Sequence, residues 1–159
     1  MSLADSIVGL HYRHPDFYVV EREKIREYAT AVKHEDSYFF EDAAARELGY
    51  DGLPGPLTFV CIFGYTAQLA FLHSAGIVVQ DAQIVQVDQV LKFIHPIQVG
   101  DTLYADVDGH SVRKAHGTDI IVLRTQITNQ DDELIQESYT TLAGRSEENG
   151  ESGFNDGSA

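Results

Sequence analysis

The sequence predicts an α+β domain in which a curled antiparallel sheet wraps around one long central helix. Three observations predict it. Helix-like segments come first and strand-like segments later, one block of each. Residues 53–75 read LPGPLTFVCIFGYTAQLAFLHSA, and apolar side chains fall on nearly every bearing of a helical wheel drawn through them. That helix is expected to be buried on almost all sides. The late strand-like segments follow one another through short turns, which favours an antiparallel meander whose concave face holds the helix.

The length of 159 residues suits one domain, expected over residues 1–145. Residues 1–16 read as an irregular lead, because His14-Pro15 blocks regular structure. Residues 17–20 read as a short strand and residues 21–32 as a helix. In the helix Ile25, Tyr28, Ala29 and Val32 share one face, and acidic residues occupy the first turn. Residues 33–38 are a polar loop. Residues 41–48 form a second short helix, closed by Gly49. Pro54, Gly55 and Pro56 make a stiff turn into the central helix, expected from Thr58 to His73 and stopped by Gly76. Thr58, Cys61, Tyr65 and Gln68 form a semi-polar stripe on it, spaced three or four apart.

After Gly76 the texture changes. Residues 83–94 alternate and carry β-branched side chains, with Val85, Val87, Leu91 and Phe93 expected on alternating sites before Pro96 ends the strand. Gly100-Asp101 is a turn. Residues 102–115, 118–128 and 133–145 read as three further strands. Leu103, Ala105 and Val107 face one side of the first, and Ile121, Leu123 and Ile127 point inward from the second. Residues 146–159 are acidic and small, and are expected to be disordered.

The net charge of −14 argues against nucleic acid as a partner, since phosphate neutralisation needs clustered cations, and against an anionic membrane surface. The central helix is too short to span a bilayer, which takes roughly 20 apolar residues. The opening stretch has no positive lead followed by an apolar run, so it does not read as a secretory leader. A single cysteine allows no internal disulfide. A cytoplasmic protein is the expectation. No histidine pair has metal-ligand spacing and no glycine run fits a phosphate loop, so no metal and no cofactor is expected.

Several words in this order resemble a known family. Phe93-x-x-Pro96 followed by Gly100-Asp101-Thr102-Leu103 resembles the hot-dog fold of MaoC-like hydratases and dehydratases. Pro56-Leu57-Thr58-Phe59, the run from Gln83 to Gln89, and Tyr139-Thr140-Thr141-Leu142 resemble the small (3R)-hydroxyacyl-ACP dehydratase subunits of mycobacterial-type fatty acid synthase II. The likeness covers roughly residues 5–145, and is nearest to the substrate-binding A subunit of the heterodimer.

The resemblance carries a motif, Asp-x-Asn-Pro-x-His, whose acid and imidazole work as a proton-transfer pair. On this chain it falls on residues 34–39. His34 stands at the acid position, and Phe39 stands where the histidine belongs. A phenyl ring moves no proton. The resemblance therefore implies a subunit with no catalytic residues of its own, in a heterodimer with a dyad-bearing hot-dog partner. The implied substrate is a long-chain 3-hydroxyacyl thioester, dehydrated to the trans-2-enoyl thioester in fatty acid and mycolic acid elongation. The implied substrate-binding residues are Pro56, Leu57, Phe59, Cys61, Tyr65, Gln68, Gln86 and Gln89. Acyl carrier protein, itself acidic, is expected to dock mainly on the partner. Arg22, Lys24, Arg26, Arg113 and Lys114 are the only modest cationic clusters here.

Alternatives stand beside this. Cys61 is either a small core filler or a border of an acyl channel. Gln86 and Gln89 either satisfy groups near a dimer seam or face water. His34 and Asp36 either share a site or are solvated loop residues. A homodimeric acyl-binding or regulatory protein without enzyme activity keeps the same fold, and a thioesterase would too.

Overall fold

The computed structural model describes residues 2–79, 83–146 and 153–155. Four helices and eight strands run in the order α1 (Leu3–Ile7), β1 (His11–Arg13), β2 (Tyr18–Val19), α2 (Arg22–Ala31), α3 (Asp42–Glu47), α4 (Cys61–Ser74), β3 (Val78–Val79), β4 (Ile84–Phe93), β5 (Thr102–Ala115), β6 (Thr118–Thr128), β7 (Leu134–Arg145) and β8 (Phe154–Asn155). The main sheet is antiparallel with the order β1-β5-β6-β7-β4, and β2 also pairs with β5. The α+β expectation, with a meander of three long strands after the helices, holds.

The sheet buries α4 through one face. Phe63, Ala67, Phe71 and Leu72 of the helix pack in one cluster with Leu103, Ala105, Val107, Ile121 and Leu123 of β5 and β6. A fully buried side chain of this size contributes about 1.5–3 kcal/mol over its exposed state, so this cluster is what fixes the helix on the sheet. Ahead of α4 the chain is tied to residues 97–101. Gly55 N–H donates to the Ile97 carbonyl at 2.9 Å. A Cβ at Gly55 would come within 2.6 Å of Ile97, so glycine is required for that approach. The Gln98 side-chain carbonyl accepts from the Asp51 and Gly52 amides at 3.2 and 3.3 Å.

Five expectations need correction. The lead is not irregular. Ser2 and Asp5 form a capping box that starts α1. Ile7 at its end is fully buried against Gly109, where a Cβ would lie 2.0 Å from the Ile7 carbonyl oxygen. The polar loop winds into a 3₁₀ turn at Ser37–Phe39. The central helix begins at Cys61 rather than Thr58, because the Cys61 and Ile62 amides bond three residues back, to Thr58 and Phe59. The strict alternation in β4 fails at a bulge between Gln86 and Asp88, which moves Val87 out of phase. Part of the acidic tail is ordered: Phe154 is buried and pairs with Val79, and Ser146 is buried as well. The remainder of that tail, 147–152 and 156–159, lies outside the described residues.

The sixth correction concerns function. The central helix is not buried all round. Ile62, Tyr65 and Leu69 are 40%, 54% and 36% exposed, on one side of α4. Beside them β4 is an edge, paired among the described residues with β7 alone, and Val85, Val87, Val90 and Phe93 along it are exposed. The sheet covers the side of the helix that carries Phe63, Ala67 and Phe71 and leaves this one open. Among the described residues, no helix is long and apolar enough to cross a membrane.

Candidate functional site

A half-open cavity of about 200 Å³ lies between α4 and the inner face of the β6-β7-β4 end of the sheet. Helical spacing puts Cys61, Tyr65 and Gln68 on its helix wall, at i, i+4 and i+7. Gly64 lines it too, and nothing lies within 4 Å of where its Cβ would be, so the missing side chain leaves room at the wall. The bulge at Val87 brings Gln86 and Gln89 to the same face, and both line the cavity. Gln86 donates to the Gln89 side-chain carbonyl at 3.1 Å. The Gln89 amide nitrogen stands 4.0 Å from the Cys61 sulfur.

The sheet wall is polar. Thr125, Gln136 and Ser138 line it, and Thr140 stands just behind. Gln68, only 5% exposed, donates its one amide nitrogen to both Thr125 Oγ1 and Thr140 Oγ1 at 3.0 Å. This pins the carboxamide across two strands. Gln136 is 3% exposed, and its Nε2 is buried with no hydrogen-bond partner among the described residues. Burial pushes the Cys61 thiol above its ordinary range, so it stays protonated near neutrality and is a poor nucleophile.

The sequence expectations divide cleanly. Cys61, Tyr65, Gln68, Gln86 and Gln89 meet at this cavity. Pro56, Leu57 and Phe59 are not among the residues that line it. Phe59 sits in the core against Tyr18 and Tyr28, with ring centroids 6.0 and 5.4 Å away. Leu57 is exposed and Pro56 is buried. Thr58, the first residue of the expected stripe, is instead bonded through Oγ1 to the Tyr28 hydroxyl at 2.8 Å. Sequence reasoning missed Thr125, Gln136 and Ser138. The available signal was the run Gln136, Ser138, Thr140, three successive polar residues on one face of a core strand before Leu142.

His34 and Phe39, the positions to which the sequence resemblance assigns the dyad, are not among the residues that line the cavity. Phe39 is 6% exposed, and the His34 ring packs over it at 4.6 Å between centroids. Tyr38 packs beside it at 4.4 Å. His34 Nδ1 is 3.9 Å from Asp36 in an exposed loop. The groups that line the cavity are carboxamides, hydroxyls, a thiol and apolar carbons. Among the described residues there is no cluster of three or more His, Cys, Asp or Glu that could hold a metal ion.

The comparisons with known proteins agree with this architecture. Residues 6–138 match the family model described as FAS1-like, dehydratase domain region. A UPF0336 protein of Mycobacterium tuberculosis, Rv0635, is 61% identical over 159 residues and covers 100% of both chains. A second protein of that organism, Rv0637, is 46% identical over 91% of this chain and 87% of its own length. Among solved structures, a chain of the C-terminally truncated HadBC (3R-hydroxyacyl-ACP dehydratase) complex from M. tuberculosis is 47% identical, with a TM-score of 0.78, covering 87% of this chain and 97% of that one. A MaoC-like dehydratase from Rhodospirillum rubrum has a TM-score of 0.70 at 18% identity, over 92% of this chain and 99% of that one, a likeness of fold.

Proposed function

The chain belongs to the FAS1-like dehydratase-domain family and has the MaoC-like hot-dog fold, and from that premise we propose that it is the non-catalytic, acyl-binding subunit of a heterodimeric (3R)-hydroxyacyl-ACP dehydratase. One observation carries the reading: Phe39, on which the family motif read from the sequence puts the catalytic imidazole, is a buried ring stacked under His34. The reaction needs a base to take the proton next to the thioester carbonyl and an acid to protonate the departing hydroxyl. The C3–O bond then breaks, water leaves and the trans-2-enoyl thioester remains. The carboxamides and aliphatic hydroxyls of the cavity do neither at neutral pH. The partner subunit supplies that pair, and this chain supplies a wall for the acyl substrate.

The exposed side of α4 and the edge strand β4 support the partner in this scheme. An apolar helix face beside a sheet edge is the surface a second hot-dog domain would cover, continuing the sheet through β4. The half-open cavity would then close. Its 200 Å³ falls below the roughly 300–1,000 Å³ usual for a complete ligand site. Carrier docking on the partner fits the charge. Arg22, Lys24 and Arg26 are engaged with Asp42, Glu27 and Glu23, which leaves the pair Arg113 and Lys114 on the β5–β6 hairpin as the remaining cluster from the sequence. No metal or redox cofactor enters the scheme, because the thioester itself acidifies the proton to be removed. The complex would work in long-chain fatty acid and mycolic acid elongation in the cytoplasm.

Co-expression with a short hot-dog protein that bears an intact dyad tests the proposal. The expected result is one stable heterodimer that dehydrates 3-hydroxyacyl thioesters. A stable homodimer that ignores such a partner and binds acyl chains unaided would favour a stand-alone acyl-binding protein instead.

A further inference from the structure

The two ends of the sheet's inner face differ in chemistry. Where β5 and the first half of β6 meet α4 the face is Leu103, Ala105, Val107, Ile121 and Leu123, all fully buried, and it turns polar at Thr125 further along β6. Where β7 and β4 meet α4 it is Gln136, Ser138, Thr140, Gln86 and Gln89. A wall meant only for saturated methylenes would look like the first. Methylenes lying along the second would strip water from its polar groups and return no hydrogen bond. Most of these groups have partners inside the protein. Gln68 is held by two threonines, and Gln86 by Gln89. Gln136 is different. It lines the cavity, it is buried, and its amide nitrogen has no acceptor among the described residues. A buried donor without an acceptor is rare enough to need an explanation.

We infer that this cavity is an oxygen-recognising subsite, taking an acyl-chain segment that bears a hydroxyl or keto oxygen, which accepts a hydrogen bond from Gln136 Nε2. The inference rests on the acyl-binding reading above and narrows its ligand. A hydroxyl would also have the carbonyl ends of the neighbouring carboxamides to donate to, while a ketone would only accept. The cavity holds roughly six or seven water volumes at ~30 Å³ each, enough for a short substituted stretch of chain but not for a long tail. The oxygen meant here is one beyond the reacting carbons, since the leaving hydroxyl must sit at the partner's dyad.

The test uses the full chain in its assembled complex and three sets of acyl thioesters of equal length. One set is unsubstituted; the others carry one hydroxyl or one keto group at successive positions along the chain. The expected result is that a substituted ligand at one position binds at least about tenfold tighter than the unsubstituted one, as a site that holds a hydrogen-bonding group discriminates against its absence. Gln136→Met should erase that preference. Gln86→Leu, at an exposed strand position where folding is not at stake, should tighten binding of the unsubstituted chain. Equal binding of all three sets, or a preference that survives Gln136→Met, overturns the inference and leaves the acyl-binding subunit standing. Failure of every ligand to bind sinks the acyl-binding reading, and the inference with it.

Discussion

The β5–β6 half of the sheet and the β7–β4 half share one face and one helix, yet they were built for different ends. The first buries carbon against α4, with Thr125 of β6 as a polar exception, and gives the fold its cohesion. The second presents glutamines, threonine and serine to the same helix, at a cost that folding alone does not justify. It also ends in the edge strand β4, next to the exposed side of α4. The contrast teaches that a core position is not defined by pointing inward. A side chain that points inward on the second half faces a cavity and a place for a partner.

The contrast can be broken most forcefully at Leu123. Leu123→Ala removes a fully buried side chain from the apolar half and should cost about 2–5 kcal/mol in chemical denaturation of the isolated chain. A loss below about 1 kcal/mol would mean that this half is not the cohesive one. Leu69→Glu addresses the uncovered side of α4. It should weaken association with a hot-dog partner by about 2 kcal/mol or more, seen by titration calorimetry, while the chain's own stability moves by no more than about 0.5 kcal/mol. Thr140→Val removes one of the two acceptors that hold Gln68. It should cost only about 1 kcal/mol, because the neighbouring Thr125 acceptor remains.

The smallest effect belongs to the outer side of the apolar half. His11 on β1 lies 2.7 Å from Asp108 and 3.2 Å from Asp106, both on β5. The hydrogen bond to Asp108 raises its pKa, with charge attraction from both aspartates adding to it. A raised folded-state value stabilises the protein below the ordinary imidazole pKa of about 6.5, and that stabilisation is lost as pH rises through the folded value. The imidazole is largely exposed, so after solvent screening the effect is a few tenths of a kcal/mol. His11→Gln should flatten the stability profile in that window and leave it unchanged well above. A profile identical to the parent's would remove the ion pair from the account.

Much of the architecture was legible in the chain itself. β5, β6 and β7 announce themselves by length and turn spacing, and α2 and α3 by their apolar faces and closing residues. α1, β1 and β8 were not legible. They have 5, 3 and 2 residues, too few for a period, and they exist through long-range contacts such as Ile7 on Gly109 and Phe154 on Gly144. At the cavity, Cys61, Tyr65 and Gln68 followed from helical spacing. Gln86 and Gln89 share a face only because of the bulge at Val87, which no alternation rule reveals. Gln136 went unnoticed because a polar residue in a strand is ordinarily assigned to the solvent side. The exposed side of α4 was misread for a related reason: a greasy helix says that it wants cover, not whether its own chain provides it.

The proposed role requires that this chain move no proton in the reaction, and the assembled complex is where to measure it. His34→Gln with Asp36→Asn removes the imidazole at the position assigned to the family's acid and the carboxylate 3.9 Å from it, and both are surface residues. The dehydration rate of the complex should stay within a factor of about two. A fall of about a hundredfold or more, the loss expected when a working acid or base is removed, would show that this chain takes part in the chemistry.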